Sequence, residues 1–232
     1  MRLHRFYSSE PLGEGVIVIK VEQNKDIFNQ IHNVFRAEIG YTCIFFDGKN
    51  NIDYVYRLDS EDKKTLNFTK VEEIIKEERE KSERILCLAL IKKDGFEEVV
   101  QKAVEIGVSK IIPILSERSE KKLINKERLE KIIIEAVEQS GRNDLPTLNE
   151  ISNLEDVIRL EGEHLLFHTE GETSNVKENK DNVYAWVGPE GGWTAGELEI
   201  FKNSRARLIH LPTYTLRATT AGVLASYYIV NL

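Results

Sequence analysis

Ile85-Leu86-Cys87-Leu88-Ala89-Leu90-Ile91 is an unbroken apolar run. It is far short of the ~20 residues of a membrane helix. It has instead the length of a strand buried on both faces, as in a parallel sheet covered by helices. The residues after it fit that reading. Asp94 stands three before Glu97, a capping-box-like start. Val99, Val100, Ala103 and Val104 then share one helical face, and Gly107 ends the helix. Lys110–Leu115 reads as the next strand, with Pro113 weakening it or placing it near an edge. Glu127–Gln139 reads as a helix facing the core with Leu129, Ile132, Ile133, Ala136 and Val137. His164–His168 and Val183–Val187 are two more candidate buried strands. Thr194 and Glu197 form a capping box for a helix carrying Leu198 and Phe201. Arg207–Leu211 is a last strand, and a helix runs from about Thr219 to the end. This alternation predicts an α/β domain with a largely parallel sheet, whose ligands collect at the carboxyl ends of its strands.

Upstream the pattern is different. Val16–Val21, Tyr41–Phe46 (followed by the turn pair Asp47-Gly48), Ile52–Arg57 and Leu66–Val71 read as strands, with a short helix over Asp26–Phe35. This predicts a small β-barrel over residues 1–70, then an acidic linker over 71–84, then the α/β domain over 85–232. Small barrels of this kind often hold RNA.

Composition sets outer bounds. The 232 residues are 41% hydrophobic and 31% charged, which excludes a disordered or collagen-like chain. Cys43 and Cys87 are too few for a disulfide framework or a zinc site of their own. The start of the chain lacks the apolar stretch of a signal peptide, so a cytoplasmic protein is expected. His4, His32, His164, His168 and His210 show no metal-ligand spacing, and no metal is expected. A net charge of −7 argues mildly against a nucleic-acid partner. The distribution softens that objection, because residues 1–70 carry ten cationic and ten anionic side chains. Arg2, Arg5, Arg36, Arg57, Arg118 and Arg142 are expected to gather in a basic groove on an otherwise acidic surface.

Four segments are site-like. Gly188-Pro189-Glu190-Gly191-Gly192 joins a buried strand to a capped helix, and its glycines allow close backbone approach to a ligand. A tight ligand-free loop is an equal reading of that spacing alone. It matches neither a Walker loop nor Gly-x-Gly-x-x-Gly. Leu211–Arg217 again joins a strand to a helix. Arg217 there opposes the helix dipole, as a cation meant for an anionic ligand would, although a plain surface arginine has equal weight. Ser116-Glu117-Arg118-Ser119 and Gln139-Ser140-Gly141-Arg142 each offer a guanidinium for phosphate or base contacts, or for an ordinary ion pair.

Together with Arg2–Phe6, His32–Arg36, Lys102–Gly107 and Glu135–Arg142, these segments make the chain resemble the bacterial 16S rRNA uridine-N3 methyltransferases of the SPOUT superfamily (the RsmE family) over nearly its full length. The resemblance implies a PUA-like barrel before an α/β domain with a C-terminal trefoil knot. The knot runs against the general rule for chain paths and is not readable from periodicity. It also implies a homodimer, small-subunit rRNA as partner, and S-adenosylmethionine (SAM) as methyl donor. The implied SAM pocket comprises Phe167, His168 and Thr169, then Gly188, Pro189, Glu190, Gly191 and Gly192, then Leu211, Leu216 and Arg217. Arg118, Arg142 and Glu190 are the implied catalytic candidates. Arg2, Arg5, His32, Arg36, Arg118, Gln139 and Arg142 are the implied RNA contacts. The last loop departs from the family pattern. Pro212 replaces a glycine and removes an N–H, and Thr219 replaces a glutamate, although a threonine there can cap the helix. A catalytically weakened RNA-binding protein on the same fold and an enzyme for another RNA position are the competing readings.

Overall fold

The structure is a computed structural model that describes residues 3–13, 15–77, 82–120, 122–172 and 182–232. The chain divides into two units, Met1–Arg79 with Val137–Asp144, and Glu80–Ala136 with Leu145–Leu232.

The first unit contains β1 (Arg5–Tyr7), β2 (Val16–Lys20), α1 (Lys25–Asn29) continuing into a π-helical turn over Gln30–Val34, β3 (Thr42–Phe46), β4 (Ile52–Glu61) and β5 (Thr65–Ile75). Its sheet has the order β1-β3-β4-β5-β2. β1 runs parallel to β3, and the other pairs are antiparallel. Phe6, Phe28, Ile31, Phe45, Tyr56 and Phe68 fill the core. Register shifts near Val55/Tyr56 and Leu58/Ser60 interrupt the β4–β5 hairpin, and such bulges bend and twist a strand pair. The sheet expected as a small barrel thus has β1 and β2 as its two ends. At three residues, β1 is too short for periodicity to reveal. β5 runs past Val71, because Ile74 and Ile75 pair with Asp53 and Ile52. The expected linker therefore begins with five residues of strand, and its Glu78–Lys81 portion lies outside the described residues.

The second unit contains β6 (Arg84–Ala89), α2 (Lys93–Ile106), β7 (Lys110–Leu115), α3 (Lys126–Ser140), β8 (Thr147–Leu148), β9 (Ser152–Asn153), α4 (Leu154–Val157), β10 (Glu163–Glu172), β11 (Val183–Val187), α5 (Ala195–Asn203), β12 (Arg207–Ile209) and α6 (Ala218–Val230). The last turn of α3 belongs to the first unit. The sheet order is β12-β10-β11-β6-β7-β8, with β9 also on β7, and every pairing is parallel. Each of the five expected strands is present in a parallel sheet, and the two-residue strands β8 and β9 are additional. All five residues of β11 are buried, and Trp186, Trp193 and Phe201 anchor one face of the core.

Pro113 places β7 near an edge as expected, one strand in from the terminal β8. The Ile114 carbonyl accepts from Leu90 on the β6 side, while the Ile111 carbonyl accepts from Asn149 on the other. Residues of a strand alternate between neighbours, so the nitrogen of Pro113 faces the β8/β9 side. There β8 pairs only with Lys110 and Ile111, and β9 only with Ile114 and Leu115. The missing N–H falls in the gap between them.

The capping box at Thr194 and Glu197 is present in both directions. The one expected at Asp94 is not. α2 starts at Lys93 after Lys92, which makes no side-chain cap, and Glu97 turns instead to Arg128 at 2.7 Å. Thr219 does not cap α6 either. Arg217 holds that position, and the Thr219 methyl group lies 2.7 Å from where a Cβ on Gly95 would sit. α2 and α6 interlock there, since a Cβ on Gly222 would meet Val99 at 2.7 Å. Both Phe167 and Glu172 of β10 pair with Ile209, so β10 curls around the end of β12. Among the described residues no helix is long and apolar enough to cross a membrane.

Candidate functional site

β12, β10 and β11 are adjacent, so their carboxyl ends bring together the segments that follow them. Two of the expected segments are loops. The third, Phe167–Glu170, is the second half of β10. Phe167 packs edge-on against Tyr228 of α6, His168 Nδ1 accepts from the Glu170 N–H at 3.2 Å, and Thr169 is exposed. Pro189 is buried, whereas Glu190 and Gly191 are exposed. Leu211 and Leu216 are half-buried, and exposed Arg217 stands at the start of α6.

The glycine-rich loop is held from three sides. The Pro189 carbonyl accepts from the Gly192 N–H at 2.9 Å, and Gly192 takes φ +69, the left-handed region where glycine is unstrained. Glu190 Oε1 accepts from the Lys92 N–H at 3.1 Å, fastening the loop to the start of α2. Arg118 Nη1 donates to the Gly191 carbonyl at 2.8 Å. A Cβ on Gly188 would lie 2.9 Å from Trp193 Nε1, so the indole can lie against this backbone only because position 188 lacks a side chain.

Glu197 is the site residue whose position the capping-box pattern reveals only in part. Its Oε2 accepts from the Thr194 N–H at 2.8 Å, and its Oε1 from the Glu117 N–H at 3.0 Å. One buried carboxylate therefore ties the start of α5 to the Ser116–Ser119 loop, which Ser119 Oγ closes by accepting from the Ser116 N–H at 3.2 Å. The box was visible as a spacing of three. The reach to Glu117, eighty residues earlier, has no local signal.

The expected RNA contacts are not all at the surface. Arg5 is buried and pairs with Asp53 at 2.7 Å. Arg142 is buried with its guanidinium on Asp144. Charges this enclosed need partners, and both arginines have acidic ones nearby in sequence or across the sheet. They therefore do not join a surface groove. Arg36 and Gln139 are exposed, His32 Nδ1 lies 3.3 Å from Glu61, and Arg57 pairs with Asp59 at 3.1 Å. Arg2 lies outside the described residues. A pocket bounded by Leu90, Ile91, Phe96 and Leu129 borders the Lys92 turn, and none of the expected cofactor residues lines it.

His164 is structural. Trp186 Nε1 donates to its Nδ1 at 3.0 Å, and its Nε2 lies 3.0 Å from the Leu160 carbonyl. Indole is only a donor and a carbonyl only an acceptor, so the ring is neutral with its proton on Nε2. Burial holds its pKa below the ordinary 6.5. Below that value the unfolded chain takes up a proton that the folded one refuses, so stability falls as pH drops from neutrality. Thermal midpoints followed by tryptophan fluorescence between pH 8 and 5 should fall more steeply for the wild type than for His164→Phe. Equal slopes would show that this imidazole does not set the pH dependence.

A family model described as an RNA methyltransferase domain matches residues 77–230. Ribosomal RNA small subunit methyltransferase E of Rickettsia conorii is 29% identical over 97% of this chain and 94% of its own. Ribosomal RNA small subunit methyltransferase E 2 of Borreliella burgdorferi is 30% identical over 94% and 92%. Among solved structures, a ribosomal RNA small subunit methyltransferase E from Neisseria gonorrhoeae bound to S-adenosyl methionine is 25% identical, with a TM-score of 0.85 over 98% of this chain and 97% of that one. A putative methyltransferase from Legionella pneumophila in complex with SAM is 26% identical, with a TM-score of 0.85 over 99% and 97%.

Proposed function

The chain belongs to the RNA methyltransferase family, and from that premise we propose that it transfers a methyl group from SAM to N3 of a uridine in small-subunit ribosomal RNA. The observation that carries this reading is the glycine-rich loop Gly188–Gly192, fixed by Arg118 and Glu190 at the carboxyl edge of three adjacent parallel strands. The Neisseria and Legionella proteins hold SAM on the same fold. A Cβ on Gly192 would meet nothing within 4 Å, so the loop leaves open space there that a bound ligand can occupy.

When bound, SAM supplies an electrophilic methyl on a sulfonium. The protein's part is to place uracil N3 in line with it and to handle the N3 proton, so positioning carries much of the rate. Arg118 and Arg217 are the cations available to a developing imidate, and Glu190 is the carboxylate at the loop. Glu190 and Arg118 also hold the loop in place, so each is expected to affect SAM affinity as well as turnover. Arg142, buried on Asp144, is assigned to shaping the Gly141–Asp144 turn that follows α3, the helix that carries Gln139. The target base must leave any stack before N3 is reachable.

The same reading carries the trefoil knot, the PUA-like character of the first unit, a homodimer and a cytoplasmic setting. α6 supports the dimer: Ala218–Val230 contains no charged residue, yet Tyr227 is 58% exposed.

Purified protein incubated with SAM and small ribosomal subunits from a strain lacking the gene should generate N3-methyluridine, read by mass spectrometry of nucleosides. An unchanged nucleoside profile overturns the reading. Calorimetry separates the weakened alternative, motivated by Pro212 and Thr219: no heat at millimolar SAM would favour it.

A further inference from the structure

The cleft beside the Lys92 turn lies wholly in the second unit, and no cofactor segment lines it. It holds about 410 Å³ out to its open mouth, within the range of small-ligand sites. Leu90, Ile91 and Phe96, all buried, give it an apolar floor at the end of β6 and the first turn of α2. Leu123 also lines it, yet is 81% exposed, so a large apolar side chain stands in water beside an apolar floor. The polar side chains of the lining are Lys93, Glu97 and Asn125. Glu97 is held by Arg128 at 2.7 Å, and Lys93 reaches it only at 3.7 Å. Asn125 Oδ1 accepts from the Arg128 N–H at 3.1 Å, in the first turn of α3. A backbone N–H needs an acceptor, so the amide oxygen is committed there and Nδ2 keeps its two hydrogens for another partner. The cleft adjoins the glycine-rich loop: Ile91 and Lys93 flank Lys92, whose N–H donates to Glu190 at 3.1 Å.

We propose that this cleft receives the uracil ring that is to be methylated, with Asn125 Nδ2 donating to its O4. This rests on the reading of the protein as a uridine methyltransferase and adds how the base is held and told from cytosine. A base taken out of its stack needs an apolar surface for its faces and fixed polar groups for its edge, and the floor and Asn125 supply one of each. Uracil presents an acceptor at position 4, whereas cytosine presents an amino donor there. A donor fixed by its own cap therefore welcomes the first and opposes the second. Lys93, only loosely paired, is the cation available to the ring oxygens as N3 gives up its proton.

The test gives the full-length protein small ribosomal subunits reconstituted with 5-iodouridine at the methylated position. Irradiation should join that base to peptides covering residues 90–96 or 123–129, located by mass spectrometry. Asn125→Asp supplies the second arm. Aspartate caps a helix as well as asparagine does, so α3 keeps its start while an acceptor replaces the donor. This variant is expected to lose roughly ten- to hundredfold in kcat/KM for subunits, with its melting and its SAM affinity in calorimetry unchanged. Its discrimination against subunits carrying cytidine at that position should shrink, a change that a merely structural role would not produce. Leu123→Ser, at an exposed position, should raise KM for subunits without altering SAM affinity. A crosslink confined to other peptides, or an Asn125→Asp protein that methylates like the wild type, overturns the cleft while leaving the methyltransferase reading standing. A wild-type protein that forms no N3-methyluridine overturns both.

Discussion

Asp53→Ala is expected to destabilise the first unit by about 3–5 kcal/mol, the usual cost of removing one partner of a buried ion pair. Asp53 lies on β4 with its carboxylate 4% exposed. Oδ1 meets Arg5 Nη2 at 2.7 Å, and Oδ2 meets Lys76 Nζ at 2.9 Å. The same Arg5 nitrogen donates to the Arg142 carbonyl at 3.2 Å and to Asn143 Oδ1 at 2.9 Å. Lys76 donates to the Gly141 carbonyl at 2.9 Å and to Asn143 Oδ1 at 2.8 Å. The Tyr7 N–H adds a bond to Glu138 Oε1 at 2.8 Å. One carboxylate therefore neutralises two cations that together hold Val137–Asp144 on the first unit. Alanine leaves a buried guanidinium without that charge, and each kcal/mol lost moves the midpoint of a domain this size by roughly 4–8 °C. The readout is selective, because Trp186 and Trp193 are the chain's two tryptophans and both belong to the second unit. Far-ultraviolet dichroism should show an early transition that tryptophan fluorescence does not share. The pair Arg5→Met with Asp53→Leu should recover much of the loss, since an apolar replacement removes the desolvation cost along with the attraction. A single variant within about 1 kcal/mol of the wild type would show that the cluster is not needed for stability.

This cluster also marks where sequence reading stops. Arg5 and Arg142 were legible as arginines in segments that suggest RNA, and their burial was not. An arginine beside an apolar strand residue looks the same in sequence whether it snorkels outward or turns in to a carboxylate forty-eight residues away. The five longer strands of the second unit and its helices α2, α3, α5 and α6 were legible because buried parallel strands and amphipathic helices differ in period and length, whereas β8, β9 and α4, of two to four residues, are too short to show a period. Thr194 and Glu197 were legible because a cap is a local device. Asp94 misled through the same pattern, since Glu97 had a better partner in Arg128, on a helix that the spacing alone does not bring near. The glycine-rich loop was readable as a loop that permits close approach. That Glu190 fastens it to Lys92 and Arg118 to Gly191 depends on contacts ninety-eight and seventy-three residues apart.

The second large effect is expected at Gly222, where two opposed preferences can be weighed. In the middle of a helix, alanine is favoured over glycine by roughly 1 kcal/mol. Here that gain should be overturned. A Cβ at 222 would lie 2.7 Å from Val99 Cγ1 and 3.3 Å from Cγ2. Both atoms belong to a β-branched side chain on α2, and helical valine keeps essentially one χ1 rotamer, so it cannot swing aside. Val99 is fully buried and has nowhere to move as a body. Gly95, four residues earlier on α2, makes the reciprocal contact with Thr219, so any separation at 222 also opens the start of α6. Arg217 and the Leu211–Leu216 segment lead directly into that start, and Lys92, which holds Glu190, leads into α2. Gly222→Leu should therefore cost about 1–3 kcal/mol or more, seen as an earlier tryptophan transition, and should weaken SAM binding in calorimetry. Gly222→Ala should be milder but still destabilising. Val99→Ala destabilises alone by opening a cavity, yet in the Gly222→Ala background it should recover stability, giving a coupling of the sign expected for two groups that compete for one space. If Gly222→Ala proved more stable than the wild type, helix propensity would outweigh the contact, and the close approach of α2 and α6 would not be what positions the loops at their ends.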